Sequence, residues 1–187
     1  MQTFLRAVRL LVMVLWVGGL CFFAFVVAPV AFTHLPSAHE AGLVVGGTLR
    51  VLHWIGLIGG ALFCLANIWL WLRAEVPARV GFAIQFTLVA IMMLVTAYSQ
   101  FSILPRMDRD QQLAGGVIET APLDNPGRID FERLHPWSER LEGLVLLCGI
   151  GVVLVLARES QWPETGKIKS YENRNHRPAA GGQDLPL

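Results

Sequence analysis

The chain has 187 residues, of which 54% are hydrophobic and 16% charged, and its formal net charge is +1. A water-soluble domain of this length needs far more polar surface. The near-neutral charge, with no zinc-finger, glycine-rich phosphate loop or aromatic–basic pattern, argues against nucleic acid as a partner and leaves the lipid bilayer.

Four long apolar runs follow in chain order, and a bilayer-spanning helix needs about 20 such residues. The first span covers about 10–32. As a signal peptide it is too long, and Pro29 follows Ala28 where a cleavage site would be wanted. It therefore reads as a retained span. Gly18 and Gly19 allow close helix approach, and Pro29 should kink the outer end. The second span covers about 44–72 within a helix longer than a bilayer requires. Gly46, Arg50, His53, Gly56, Gly60, Cys64 and Asn67 share one broad face of it. Asn67 should hydrogen-bond across helices near the inner end. The third span, about 80–104, carries Gln85, Met92, Thr96 and Ser99 in a rough stripe and ends at Pro105. Residues 105–135 read as a polar outer connection with a strong turn at Asp124-Asn125-Pro126-Gly127. The fourth span covers about 136–157, with Pro136 in its first turn. Residues 1–158 thus form one all-α integral membrane domain, a four-transmembrane-helix bundle, and 159–187 a polar, disordered tail.

Arg6 and Arg9 precede the first span, Arg73 and Arg79 separate the second from the third, and Arg158, Lys167, Lys169, Arg174 and Arg177 follow the fourth. The first outer turn, Thr33–Gly42, has no Lys or Arg. The positive-inside rule places both termini in the cytoplasm. In a bacterium the host would be the inner, or plasma, membrane. Cys21, Cys64 and Cys148 each lie inside an apolar run at no metal-binding spacing, and read as small buried hydrophobes.

The uncommon chemistry collects at the outer end. Four of the five histidines, His34, His39, His53 and His135, fall there and are the candidate metal ligands. His53, His135, Arg50 and Glu142 are the candidate cofactor-binding set. Haem b would use His53 or His135 beside a small-residue cleft at Gly56 and Gly60. Copper would use His34 and His39, with Met107 near them. Glu142, at a depth where a carboxylate seldom faces lipid, should meet Arg50 or His53. It would either pair two spans or orient a histidine ligand. No catalytic constellation is recognisable.

The segments Trp16-Val17-Gly18-Gly19, Phe25, Ala28-Pro29-Val30-Ala31-Phe32, and Phe131-x-x-Leu134-His135-x-x-Ser138-x-x-Leu141 resemble a family of small four-span proteins with a domain of uncharacterised function. That family is similar to the eukaryotic transmembrane protein associated with cisplatin tolerance. More distantly it resembles the copper-resistance-D-like membrane proteins and the haem b-binding, oxygen-independent protoporphyrinogen oxidases. Those oxidases carry a histidine about two turns before the tryptophan, where this chain has Val8, Arg9 and Leu10. That departure tells against carrying haem binding over from the resemblance, and metal or redox-cofactor handling at the outer end is suggested by its histidines. Two alternatives stand beside that reading: an accessory or structural subunit of a larger membrane complex, and a small transporter acting as a homo-oligomer.

Overall fold

A computed structural model describes residues 1–74 and 76–159; of the tail expected at 159–187 only Glu159 falls in that range, and it is not disordered but the buried last residue of the fourth helix. Four helices long and apolar enough to cross a membrane run Gln2–His34, Ala38–Leu72, Ala78–Leu113 and Pro126–Glu159. There is no strand among the described residues. The chain is an all-α integral membrane protein, and its even number of spans brings residues 1 and 159 to one end of the bundle, labelled inner after the orientation expected from the charges, with the opposite end labelled outer.

Each helix end has a local cause. Ser37 caps the second helix, its Oγ accepting from the Glu40 amide at 3.1 Å. Two prolines that should break helices do not. A π-helical turn, Phe23–Val27, precedes Pro29, and a second, Ser99–Ile103, precedes Pro105. A wide turn shifts the hydrogen-bond register and absorbs the donor that proline lacks. Pro105 therefore does not end the third helix, which continues as Leu104–Leu113. Nor does the fourth helix wait for Pro136. It begins at Pro126, with Asn125 as cap: its Oδ1 accepts from the Arg128 amide at 3.2 Å, and Pro136 lies inside the helix. The segment read as a connection is thus largely helix. At Gly127 the start of the fourth helix presses against the Asp110 carbonyl and Leu113 so closely that any side chain would collide.

The core is built from Val12, Met13, Trp16, Leu20, Phe63, Val89, Met92, Val145, Val152 and Leu156. The opposite helix faces, with Leu11, Leu15, Ile58, Leu65, Leu94, Leu147 and Leu154, are exposed as lipid-facing surfaces. Glycines set the closest approaches. The Trp16 indole lies directly on Gly56. A Cβ on Gly60 would fall 2.8 Å from Met93 and 2.9 Å from Trp16.

Near the inner end, each span sends one polar side chain to a common point. Arg9, read from the sequence as a flanking charge, is fully buried. Its Nη1 donates to Asn67 Oδ1 at 2.8 Å and to Gln85 Oε1 at 2.7 Å. Its Nη2 donates to Glu159 Oε1 and Oε2 at 2.8 and 3.0 Å. Gln85 Nε2 donates to Glu159 at 3.1 Å, and Asn67 Nδ2 to the Phe82 carbonyl at 2.8 Å. These contacts leave each amide only one orientation that satisfies its partners. The guanidinium also lies 5.1 Å from the Phe82 ring centroid and 5.8 Å from that of Phe63. The cross-helix bonding expected of Asn67 is thus part of a four-helix clasp.

Removing one member of a buried ion pair strands its partner, at a cost of about 3–5 kcal/mol, whereas removing both is near neutral. Arg9→Met is therefore expected to lower unfolding stability in mild detergent by about that amount, and Arg9→Met/Glu159→Met to recover most of it. A double variant no better than the single would show that the clasp does not hold the bundle. Gly56→Ala should cost about 1–3 kcal/mol through its clash with Trp16. Gly18→Ala, with open space around it, should be neutral or slightly stabilising. Equal thermal midpoints for the two variants would refute the Trp16–Gly56 contact.

Candidate functional site: a cavity in the outer half of the bundle

The first span packs on the fourth through its inner portion, Gln2–Phe22, whereas Phe23–His34 leans on the second span. The outer half opens accordingly into a cavity of about 590 Å³. That volume lies within the range of small-molecule sites. Leu20, Phe23, Ala24, Ala28 and Phe32 of the first span form one wall, with Leu49 and Leu146 opposite. The π-helical turn supplies that wall, because it turns Phe23 and Ala24 inward ahead of Pro29.

The deepest polar group beside the cavity is a triad drawn from three helices. His53 is buried, with Nδ1 3.0 Å from Gln100 Oε1 and Nε2 2.8 Å from Glu142 Oε1. Both ring nitrogens thus face oxygen acceptors, an arrangement that an imidazolium donating to a carboxylate satisfies in full. Turning the Gln100 amide over would let a neutral ring do the same. Glu142 has one oxygen on His53. Its other oxygen, Oε2, is buried without a hydrogen-bond partner, and Glu142 lines the cavity. A buried carboxylate oxygen with no donor is costly.

The outer rim carries the remaining charges. Arg50 pairs with Asp108, not with Glu142. Gln111 Nε2 donates to His39 Nδ1 at 3.1 Å and to the Gly116 carbonyl at 2.9 Å. His135 Nε2 lies 3.4 Å from Glu139, and its ring stacks on Phe131. Asp108, Glu119, Glu139 and Glu142 line the cavity against a single guanidinium, Arg50. Four carboxylates to one arginine make the chamber acidic.

The sequence-derived residues separate on this geometry. Arg50, His39, His135 and Glu142 line the cavity, and His53 stands behind Glu142. His34 does not join them; its Nδ1 bonds the Val30 carbonyl of its own helix at 3.2 Å. Among the described residues no three His, Cys, Asp or Glu side chains are grouped to hold a metal ion. Haem b does not fit the cleft proposed for it. Trp16 fills the space over Gly56 and Gly60, and both His53 nitrogens already have partners. Cys21, Cys64 and Cys148 are free thiols, half-buried among the spans. Gln100, Asp108 and Gln111 were missed as site residues. Asp108 and Gln111 lie in the stretch read as a connection. The i, i+3, i+4 spacing of Leu104, Met107, Asp108 and Gln111 was the available signal that this stretch is a helix with one face on the site.

Fold and site together define a small four-span membrane protein with a ligand-sized chamber toward its outer end. Residues 11–114 match the family of a domain of unknown function, DUF4149. The match covers more than half of the chain, so the chain belongs to that family. The comparisons with curated proteins and with solved structures return no match.

With Trp16 in the cleft, a haem has no room there beside His53. Protein purified in mild detergent is expected to give oxidised and dithionite-reduced spectra without a His53-dependent Soret band. A Soret band that His53→Ala abolishes would overturn this assignment.

Proposed function

We propose that the chain is a membrane-embedded binding protein for an amphipathic organic cation, held in the outer-half cavity with its cationic head on Glu142. The observation that carries this reading is the unpartnered Glu142 Oε2, on a residue that lines a chamber with an apolar wall from the first span and an acidic rim. An ammonium or amidinium head supplies the missing donor and an opposite charge, and a charge-assisted hydrogen bond of this kind is the strongest the site can make. The aromatic and aliphatic wall from Leu20 to Phe32 accepts the apolar body. His53 holds the other oxygen and fixes the carboxylate in the direction of the chamber. The reading keeps ligand handling at the outer end, as the histidine cluster suggests, and replaces a metal or haem with an organic cation, because the histidines are dispersed and the haem cleft is filled.

The test uses the full chain in nanodiscs of zwitterionic lipid, with empty nanodiscs as the blank. Decylammonium is expected to bind more tightly than decanol or decyl sulfate. Glu142→Gln should weaken decylammonium binding by about tenfold or more, the value of a hydrogen bond to a charged group, and leave decanol unaffected. Equal binding of amine and alcohol, or an unchanged amine affinity in Glu142→Gln, would contradict the proposal.

A further inference from the structure

A second recess lies on the other side of the two helices that wall the cavity. The Leu104–Leu113 helix turns Leu104, Met107, Asp108 and Gln111 to the cavity, and Ile103, Arg106, Arg109 and Asp110 line the opposite recess. The fourth helix divides in the same way. Phe131, His135, Glu139 and Glu142 line the cavity, whereas Asp130, Arg133, Leu134, Trp137 and Leu141 line a groove of about 810 Å³ completed by Tyr98. The two sites therefore share walls but no lining residue.

On both walls of the groove the apolar and aromatic side chains lie inward of the arginines: Tyr98 and Ile103 precede Arg106 and Arg109 on the third helix, and Leu134, Trp137 and Leu141 follow Arg133 inward on the fourth. Leu141, Ile103 and Leu134 are aliphatic. Tyr98 and Trp137 are both about half exposed, as aromatic side chains are at a bilayer interface. Arg106, Arg109 and Arg133 lie beyond them. At 1.5 Å per residue the step from Ile103 to Arg109 is about 9 Å, enough to pass from hydrocarbon into the headgroup layer. All three arginines are exposed, and none forms a hydrogen bond or ion pair with another described residue. Elsewhere the outer arginines are engaged: Arg50 with Asp108, Arg128 with Glu132, and Arg140 over the Trp137 ring at 5.3 Å. Three guanidiniums against Asp110 and Asp130 leave one positive charge in excess. Three guanidiniums without a hydrogen bond or close ion pair, two of them in the field of Asp110, stand above an aromatic and aliphatic slot and match a phosphate with acyl chains attached.

We infer that this groove seats the phosphate headgroup of an anionic phospholipid of the outer leaflet, held by Arg106, Arg109 and Arg133, with an acyl chain along Tyr98, Trp137 and Leu141. The inference is independent of the cavity ligand. It accounts for arginines retained at the outer face, where the positive-inside tendency would remove them.

The full chain, delipidated in mild detergent, is to be titrated with phosphatidylglycerol or phosphatidylcholine and the bound lipid counted by native mass spectrometry. One phosphatidylglycerol should be retained in preference to phosphatidylcholine. A basic residue near an anionic lipid surface is worth about fivefold in affinity, so Arg106→Gln/Arg133→Gln should lower retention by about twentyfold. Arg73→Gln, at the inner end, should not change it. Circular dichroism and thermal midpoint should stay unchanged in all variants, which separates lost lipid from lost fold. Equal retention of the two lipids, or a loss as large in Arg73→Gln, would overturn the inference. So would displacement by millimolar inorganic phosphate, which would mark a site for the free anion instead.

Discussion

Four helices meet at one guanidinium. Arg9 is fully buried among the helices, away from solvent, so its charge persists only because Glu159, Asn67 and Gln85 converge on it from the other three helices. The clasp therefore fixes the rotation of every span at the inner end. Above it, Trp16 seats on Gly56 and Gly60 and closes the middle of the bundle. Neither device reaches the outer third. There a π-helical turn carries the first span against the second, and the space it leaves beside the fourth becomes the cavity. A closed inner end and an open outer end follow from the same few residues.

Two polar sites at opposite ends of one apolar bundle differ in a way that separates structure from function. In the inner clasp every carboxylate and amide oxygen accepts a hydrogen bond, and the guanidinium has a single unpartnered nitrogen, Nε, close to two aromatic rings. In the outer triad the unpartnered atom is a buried carboxylate oxygen of Glu142, a residue that lines a chamber large enough for a ligand. Low dielectric strengthens satisfied networks and penalises incomplete ones. The first arrangement holds a fold together, and the second invites a donor from outside the chain.

Much of the fold was legible because hydropathy is a strong signal over twenty residues. The four apolar runs, the shared end of the termini and the cross-helix role of Asn67 all follow from it. What escaped was polar helix. Residues 105–113 and 126–135 carry enough charge to read as a connection, although Asn125-Pro126 is a helix start and the 104/107/108/111 spacing is helical. Losing those two helices hid Asp108, the partner of Arg50, and half of the cavity rim. Arg9 escaped for a related reason. A charge at the edge of an apolar run looks like an interfacial anchor, and only its three-dimensional partners show that it is buried. The depth of His53 and its closeness to Glu142 were readable. The filling of the Gly56–Gly60 cleft was not, since the tryptophan that occupies it sits on another span.

The account rests most directly on the outer-half cavity being open to a ligand and acidic at its base. Gly143 lines it and has open space around its α-carbon, so Gly143→Cys, in a chain whose Cys21, Cys64 and Cys148 are replaced by alanine, places a thiol there without disturbing the packing. The measurement is its rate of reaction with a small water-soluble methanethiosulfonate, with and without decylammonium. The account requires the thiol to react and the amine to slow that reaction in proportion to occupancy of the site. A thiol that does not react, or one that reacts at a rate indifferent to the amine, would contradict it.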